Sequence, residues 1–290
     1  MNFEAVIGIE IHIELNTSSK MFSSAPIKAN KQANYNVFPL DIAFPGAMPT
    51  INKQAVIHAI RIAHALHMNI DNELWFDRKN YFYSDNPKGY QITQYYRPLA
   101  TNGYLDINNH RIKIEDLHLE EDTCKQVHLK DRTLLDYNRS GIPLIEIVSS
   151  CDIRSSEEAK LFVEKIHQIV TDLEASDGKM ENGSLRCDIN ISLRPIGSNK
   201  NGNKVEIKNL NSFKNIKLAI DYEITRQLKL LLSGEIVEQQ TRRFDENLKQ
   251  TTYMREKGDS GSYGYFVDPN IPPITLDFKF INDAIASSPM

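Results

Sequence analysis

The stretch VIGIEIHIEL, Val6 to Leu15, sets Gly8, Glu10, His12 and Glu14 against Ile7, Ile9, Ile11, Ile13 and Leu15. A strict period of two is the pattern of a half-buried strand. Side chains two residues apart on a strand project to the same side, roughly 6.5–7 Å apart by the rise per residue. Glu10 and His12 would converge on one cation if other segments supplied the remaining ligands. A solvated sheet face gives the same alternation without any ion.

Two further segments offer ligands. Glu146 lies in PLIEIV between Leu144, Ile145, Ile147 and Val148, so either strand face carries its carboxylate toward apolar neighbours. A bare buried carboxylate costs several kcal/mol or reverts to its neutral form, and a cation or an arginine relieves that cost. A structural salt bridge is the alternative. In HLEED, read as a strand, His118, Glu120 and Asp122 share one face and Glu121 takes the other. Strand phase therefore selects Glu120 over Glu121. Glu10, His12, Glu120 and Glu146 together make an oxygen-rich, one-histidine set suited to Mg²⁺ or Mn²⁺, unlike structural zinc.

Carboxylates that hold a divalent ion commonly face phosphates. DRKNYFYSDNPKGYQ places Arg78, Lys79 and Lys88 among tyrosines. SLRCDINISLR lines Arg186, Asp188, Asn190, Ser192 and Arg194 along one strand face, a candidate nucleotide or substrate floor or simply an exposed face. GxGxxG and GxxxxGK[ST] are both absent, so a bound nucleotide does not use a P-loop. The glycines of GDSGSYG read as a mobile loop.

The elements that position these residues are strands in the first half and helices later. FDRKNYFY and YQITQYYRPL read as strands around a turn, and RIKIEDLHLEED alternates with one slip of phase near Asp116. SLRCDINISLRP and NKVEIKNL form a hairpin across a Gly/Asn-rich turn. Ser155 and Glu158 make a capping box for one helix. A second helix runs from Ser212 to a stop at Gly234. An earlier one, about Asn52 to His67, carries His58, His64 and His67 as surface residues. The order predicts an α+β fold with a mainly antiparallel sheet and packed helices.

The bulk numbers narrow the class. The 290 residues allow one large domain or two ordinary ones, with 41% hydrophobic and 25% charged residues, as in globular proteins. A net charge of −4 excludes a whole-surface basic field for nucleic acid, not a local patch. Neither a secretory signal nor a membrane span is expected. Cys124, Cys151 and Cys187 are odd in number and far apart, which suits a reducing cytoplasm and argues against a disulfide framework or a CxxC zinc site.

Taken in order, GIEIHIEL, FPGAMPTIN, RKNYFYSDNPKGYQI, HLEED, DYNRSGIPLIEIVS, GSLRCDINISLRP, EIKNLNSF and TRRFDE resemble the B subunit of the glutamyl-tRNA(Gln)/aspartyl-tRNA(Asn) amidotransferase, from about residue 4 to about residue 277. The resemblance implies a glutamine-synthetase-like cradle with an antiparallel catalytic floor. It implies ATP-dependent phosphorylation of the side-chain carboxylate of Glu-tRNA(Gln) or Asp-tRNA(Asn), then amidation by ammonia from an amidase A subunit, with a small C subunit completing a cytoplasmic heterotrimer. By the same resemblance Glu10, His12, Glu120 and Glu146 hold the metal. Lys79 and Lys88 contact phosphate or line the ammonia route. Arg186, Asp188 and Asn190 belong to the floor, with Glu206, Lys208 and Asn209 beside it. Lys79, Lys88, Arg186 and Asp188 are thus the expected catalytic residues, and Asn190, Arg194 and Lys208 the expected ATP-binding ones.

Several departures from the family pattern stand out. Glu14 replaces a common Gln, Ser84 a proline of the turn, and Gln240 a carboxylate. Ser23 and Ser24 begin the place of a four-cysteine insertion and no CxxC follows, so no zinc is expected. Ser262, Gly264, Val267 and Asn270 alter the late DYRYFPDPD motif. Residues 1–290 are expected to form the cradle alone, without the family's helical and tRNA-binding tail domains, and to bind tRNA weakly. A noncatalytic scaffold of the same complex and a small-molecule amide ligase remain as alternatives.

Overall fold

Phe3–Glu14 forms a strand, β1, with its isoleucines fully buried and Glu10, His12 and Glu14 half-buried on the other side. The computed structural model describes residues 2–28, 32–256 and 263–289. Most of the GDSGSYG segment, Gly258 to Ser262, lies outside them. Helix α1 (Lys53–Ala65) is followed by β2 (Asn69–Ile70), β3 (Glu73–Leu74), β4 (Asp77–Asn80), β5 (Tyr90–Thr93), β6 (Ala100–Ile107) and β7 (His110–Glu121). A small hairpin of β8 (Lys125–His128) and β9 (Thr133–Asp136) precedes β10 (Pro143–Ser149) and helix α2 (Ser156–Asp172). Then come β11 (Leu185–Pro195), β12 (Val205–Lys208), helix α3 (Phe213–Leu232), β13 (Gln240–Asp245) and β14 (Gln250–Glu256). β15 (Gly264–Val267), β16 (Ile274–Thr275) and helix α4 (Phe278–Ala286) follow.

Among the described residues nine strands make one sheet, in the order β14-β13-β12-β11-β1-β10-β7-β6-β2. Among the described residues, β12 and β13 are the one parallel pair. The fold is thus mixed α/β with a mostly antiparallel sheet, as the sequence predicts. The slip of phase near Asp116 is a register shift: Val148 faces Asp116 while Ser149 faces Ile114. The extra residue, Glu115, restores alternation, so that Asp116, His118 and Glu120 fall on one face.

The helices form because their apolar positions recur at helical spacing and their first N–H groups find caps. Asn52 caps α1, Ser155 caps α2 and Ser212 caps α3, each by accepting from backbone N–H groups of the first turn. Only half of the predicted capping box forms at α2. Ser155 accepts from Glu158 N, but the Glu158 carboxylate accepts from Arg154 N at 2.8 Å, not from Ser155 N. His58 corrects the surface reading of the α1 histidines: it is buried, with Nε2 3.0 Å from Asn16 O, whereas His64 and His67 are exposed.

Phe162, Ile166, Val170, Ile216 and Ile220 join Ile7, Ile9, Ile11, Ile189 and Ile191 in one core. The helices therefore occupy the apolar face of the sheet and leave its polar face open. Part of that face is overhung by a three-stranded sheet, β15-β4-β5. β5 lies beside the last residues of β7, where β6 has ended. Side chains replace the backbone ladder there: Leu119 N donates to Gln94 Oε1 at 2.9 Å and Ile92 N to Glu121 Oε1 at 3.0 Å. Among the described residues no helix is long and apolar enough to cross a membrane. Cys124 and Cys187 are buried, Cys151 is exposed, and all three are free.

Candidate active site

Register brings the chemistry together. His12 of β1 sits opposite Glu146 of β10, and Glu146 sits opposite His118 of β7. On its other side β1 sets Glu10 opposite Asp188 and His12 opposite Arg186. Directly opposed side chains on one face have Cβ atoms about 4.5–5.5 Å apart.

His12 Nε2 lies 3.3 Å from Glu120 Oε1 and 3.4 Å from Glu146 Oε2. One ligand atom from each of the three falls within 4.8 Å of the others. One imidazole and two carboxylates fit a hard divalent ion such as Mg²⁺ or Mn²⁺. Glu10 stands apart from this trio. Its carboxylate groups with Asp188 and Glu206 instead, and its Oε1 accepts from Asn190 Nδ2 at 2.9 Å.

Burial pulls the His12 pKa down, but the Glu146 and Glu120 carboxylates outweigh it and push it up to about 10. His118 is likewise opposed by burial, yet Asp116 and Glu146 raise it well above the usual imidazole range. Burial would raise Glu146, but His12 and His118 hold it well below the ordinary carboxylate range.

Two cavities flank the trio. The larger, about 990 Å³, is lined by His12, Arg186, Asp188, Lys208, Asn209 and Glu246 among others. The smaller, about 310 Å³, is lined by Glu10, Lys79, Glu120, Glu146 and the rings of Tyr95 and Tyr265 among others. Arg186 Nη2 donates to Asp122 Oδ2 at 2.9 Å, and its Nε is buried without a hydrogen-bond partner among the described residues. Lys208 Nζ bridges Asp188 and Glu206 at 2.5 and 3.7 Å. Burial opposes its charge, and those two carboxylates raise its pKa nonetheless.

Two expected residues are placed elsewhere. Lys88 Nζ is 2.7 Å from Glu121 Oε1 in a buried pair that lines neither cavity. Glu121 takes the face opposite Glu120, and its carboxylate needs that cation. Arg194 Nε pairs with Glu4 Oε1 at 2.7 Å. Eight residues of strand separate Arg194 from Arg186, roughly 26 Å by the rise per residue, so sharing a face does not put both at one site.

Tyr95, Tyr265, Asp116, Asn215 and Glu246 escaped the sequence reading. Tyr265 is brought to the site by the pairing of β15 with β4, which puts it opposite Lys79. Asn215 Nδ2 donates to Glu246 Oε1, a contact between α3 and the turn after β13. The doublet Tyr95–Tyr96, one residue past the end of β5, is the available signal in the sequence.

A family model described as the GatB/GatE catalytic domain matches residues 5–282. A Mesoplasma florum protein, named as the B subunit of an aspartyl/glutamyl-tRNA(Asn/Gln) amidotransferase, is 53% identical over 99% of this chain and 61% of its own length. Proteins of the same name from Mycoplasmopsis agalactiae and Mycoplasma mycoides are 55% and 54% identical, over 97% and 99% of this chain and 60% and 61% of their own lengths. The chain thus spans about three fifths of the length of the curated relatives it matches. On that match, covering nearly all of its residues, the chain belongs to the GatB/GatE catalytic-domain family.

Proposed function

We propose that this chain is the phosphoryl-transfer part of a tRNA-dependent amidotransferase, a carbon–nitrogen ligase with glutamine as nitrogen donor. It uses ATP and Mg²⁺ or Mn²⁺ to activate the side-chain carboxylate of Glu-tRNA(Gln), Asp-tRNA(Asn) or both. The relatives' names support the substrate class. The observation that carries the reading is the position of the trio between two cavities, with His12 on the larger and Glu120 and Glu146 on the smaller. In-line transfer needs a donor and an acceptor on opposite sides of one charged centre.

A carboxylate resists ammonia because its leaving group would be oxide or hydroxide, and an acyl phosphate replaces that with phosphate. A divalent ion held by His12, Glu120 and Glu146 supplies charge neutralisation for the transferring group. Arg186 and Lys208 face the larger cavity and balance the charge of ATP phosphates there. Lys79 faces the smaller cavity and orients the acceptor carboxylate. Ammonia then attacks the acyl carbon and phosphate leaves. The partners in this reading are an amidase A subunit that releases ammonia and a small C subunit, in the cytoplasm. The helix-backed sheet with an open polar floor supports the glutamine-synthetase-like cradle.

The test is ATP hydrolysis by the assembled complex with and without mischarged tRNA. The expected result is hydrolysis that requires Glu-tRNA(Gln) or Asp-tRNA(Asn) and falls at least about 100-fold in Glu146→Gln. Hydrolysis with ammonia and free glutamate alone would point to a small-molecule ligase. Unchanged turnover in Glu146→Gln would leave a scaffold.

A further inference from the structure

Tyr95 and Tyr265 line the smaller cavity, and a third tyrosine, Tyr96, packs against Tyr95. The rings of Tyr95 and Tyr265 stack with centroids 3.9 Å apart and planes 15° apart. Tyr96 meets Tyr95 edge-on at 5.1 Å. Tyr95 and Tyr96 are 58% and 60% exposed, so the outer side of this aromatic group faces solvent. Single exposed aromatics need no explanation, but a stacked group at a cavity rim does.

The group is held rigidly. The backbone N–H groups of Tyr95 and Tyr96 both donate to Asp77 Oδ2, at 2.8 and 2.9 Å, and Asp77 is buried. The Tyr96 hydroxyl donates to Tyr265 O at 3.0 Å. Asp77 and Lys79 belong to the same short strand, β4. One strand therefore fixes the aromatic rim and also aims a cation into the cavity beneath it.

We infer that Tyr95, backed by Tyr265, is a stacking platform for the 3′-terminal base of the RNA whose aminoacyl end enters the smaller cavity. This rests on the proposed function, in which the acceptor is an aminoacyl ester on RNA. Glu146 and Tyr95 line the same 310 Å³ cavity, from its charged floor to its rim. Such a volume takes an amino-acid side chain and part of a ribose. The next group outward along the ester is the base, and the surface that meets it is a flat aromatic face. Aromatic faces stack any base without reading its edge, which gives a chain of net charge −4 affinity for an RNA end without a broad basic field. Adenine of ATP presents the same flat face. The cations Arg186 and Lys208, suited to its phosphates, line the larger cavity, which none of these tyrosines borders.

The test is fluorescence quenching on this chain with two probes. One is an uncharged RNA acceptor hairpin with 2-aminopurine as its 3′-terminal base. The other is 2-aminopurine riboside triphosphate with Mg²⁺. The RNA probe is expected to be quenched, with affinity falling about 10- to 100-fold in Tyr95→Ala and in Tyr95→Leu, which keeps apolar bulk without a ring face. Tyr95→Phe and Tyr95→Trp are expected to retain it. The circular dichroism spectrum and Mn²⁺ affinity of each variant report its folding. Loss of quenching confined to the triphosphate probe assigns the platform to ATP and overturns the inference, as does equal RNA affinity in folded Tyr95→Leu. No turnover is involved, so a failure of phosphoryl transfer is read separately from a failure of base stacking.

Discussion

His118 Nε2 lies 3.1 Å from Glu146 Oε2, the same oxygen that His12 Nε2 approaches at 3.4 Å. His118 Nδ1 in turn lies 2.8 Å from Asp116 Oδ1. Acids and imidazoles thus alternate across β7, β10 and β1, from Asp116 through His118, Glu146 and His12 to Glu120. Groups that hold a ligand's far side fix its orientation and tune its basicity. Replacing Glu146 by Gln removes the charge both imidazoles share. Mn²⁺ affinity, followed by electron paramagnetic resonance, is expected to fall about 100-fold, and in His118→Asn by about 10-fold. Equal affinity in both variants would place the ion elsewhere.

Metal binding is expected to release protons. In the metal-free chain His12, pushed up to about 10, is protonated at neutral pH. A cation needs the neutral imidazole, so binding expels that proton and affinity rises with pH up to about 10. The same shift carries a stability term. The folded pKa lies above the unfolded value of 6.5, so this contribution is complete below 6.5 and fades as pH rises toward about 10. Calorimetry in two buffers of different ionisation enthalpy counts the protons. A count of zero at pH 7 would contradict the charged His12.

Glu14 is a second pH-dependent group, acting in the same direction over a lower pH window. Burial and then Asp122 push its pKa up to about 7 from 4.5, while Arg186 and Arg139 pull the other way. The folded chain therefore binds this proton more tightly than the unfolded chain. Stability falls as pH rises from about 4.5 to about 7 and stays reduced above that. Glu14→Gln is expected to raise stability by about 1 kcal/mol at pH 8, after discounting for solvent screening, and by little at pH 4.5. Urea melts at the two pH values check this, and an equal effect at both would remove Glu14 as the cause.

The floor was legible because period two separates its faces within each strand. Ile9, Ile11 and Ile13 on one side, with Glu10, His12 and Glu14 on the other, required no knowledge of neighbours. The grouping of ligands did require it. Glu10 and His12 share a face of one strand, but roughly 6.5–7 Å between them exceeds the span of an ion's first shell. Side chains that could share an ion come from neighbouring strands, where opposed positions are closer. His12 therefore joins Glu146 and Glu120, while Glu10 joins Asp188 and Glu206. That division depends on which strand lies on each side of β1, and alternation carries no such information. The place of Lys88 away from both cavities was hidden for a related reason. Its partner Glu121 lies 33 positions away and is reached only when β5 docks beside β7.

The β13–β14 hairpin joins the floor through three parallel register positions, Glu206 with Thr241, Ile207 with Arg242 and Lys208 with Arg243. So short a pairing needs support from the helix layer, and Glu223 of α3 provides it. Its carboxylate is fully buried and accepts from Arg226 Nη2, Gln227 Nε2 and Thr251 Oγ1 of β14, with Arg242 Nε of β13 3.6 Å away. Glu223→Ala leaves two guanidinium groups without their shared anion, and removing one partner of a buried pair costs about 3–5 kcal/mol. Glu223→Gln keeps an acceptor for Thr251 and is expected to cost less. The loss should be local. Amide hydrogen exchange in β13 and β14 is expected to accelerate strongly, while β1 and β11, buried at the centre of the sheet, keep their protection. Because Thr241 Oγ1 donates to Glu206 Oε2 at 2.7 Å, loosening the hairpin also removes one hydrogen bond from a member of the second carboxylate group. Uniform acceleration across the whole sheet would show instead that the hairpin and the floor unfold as one unit.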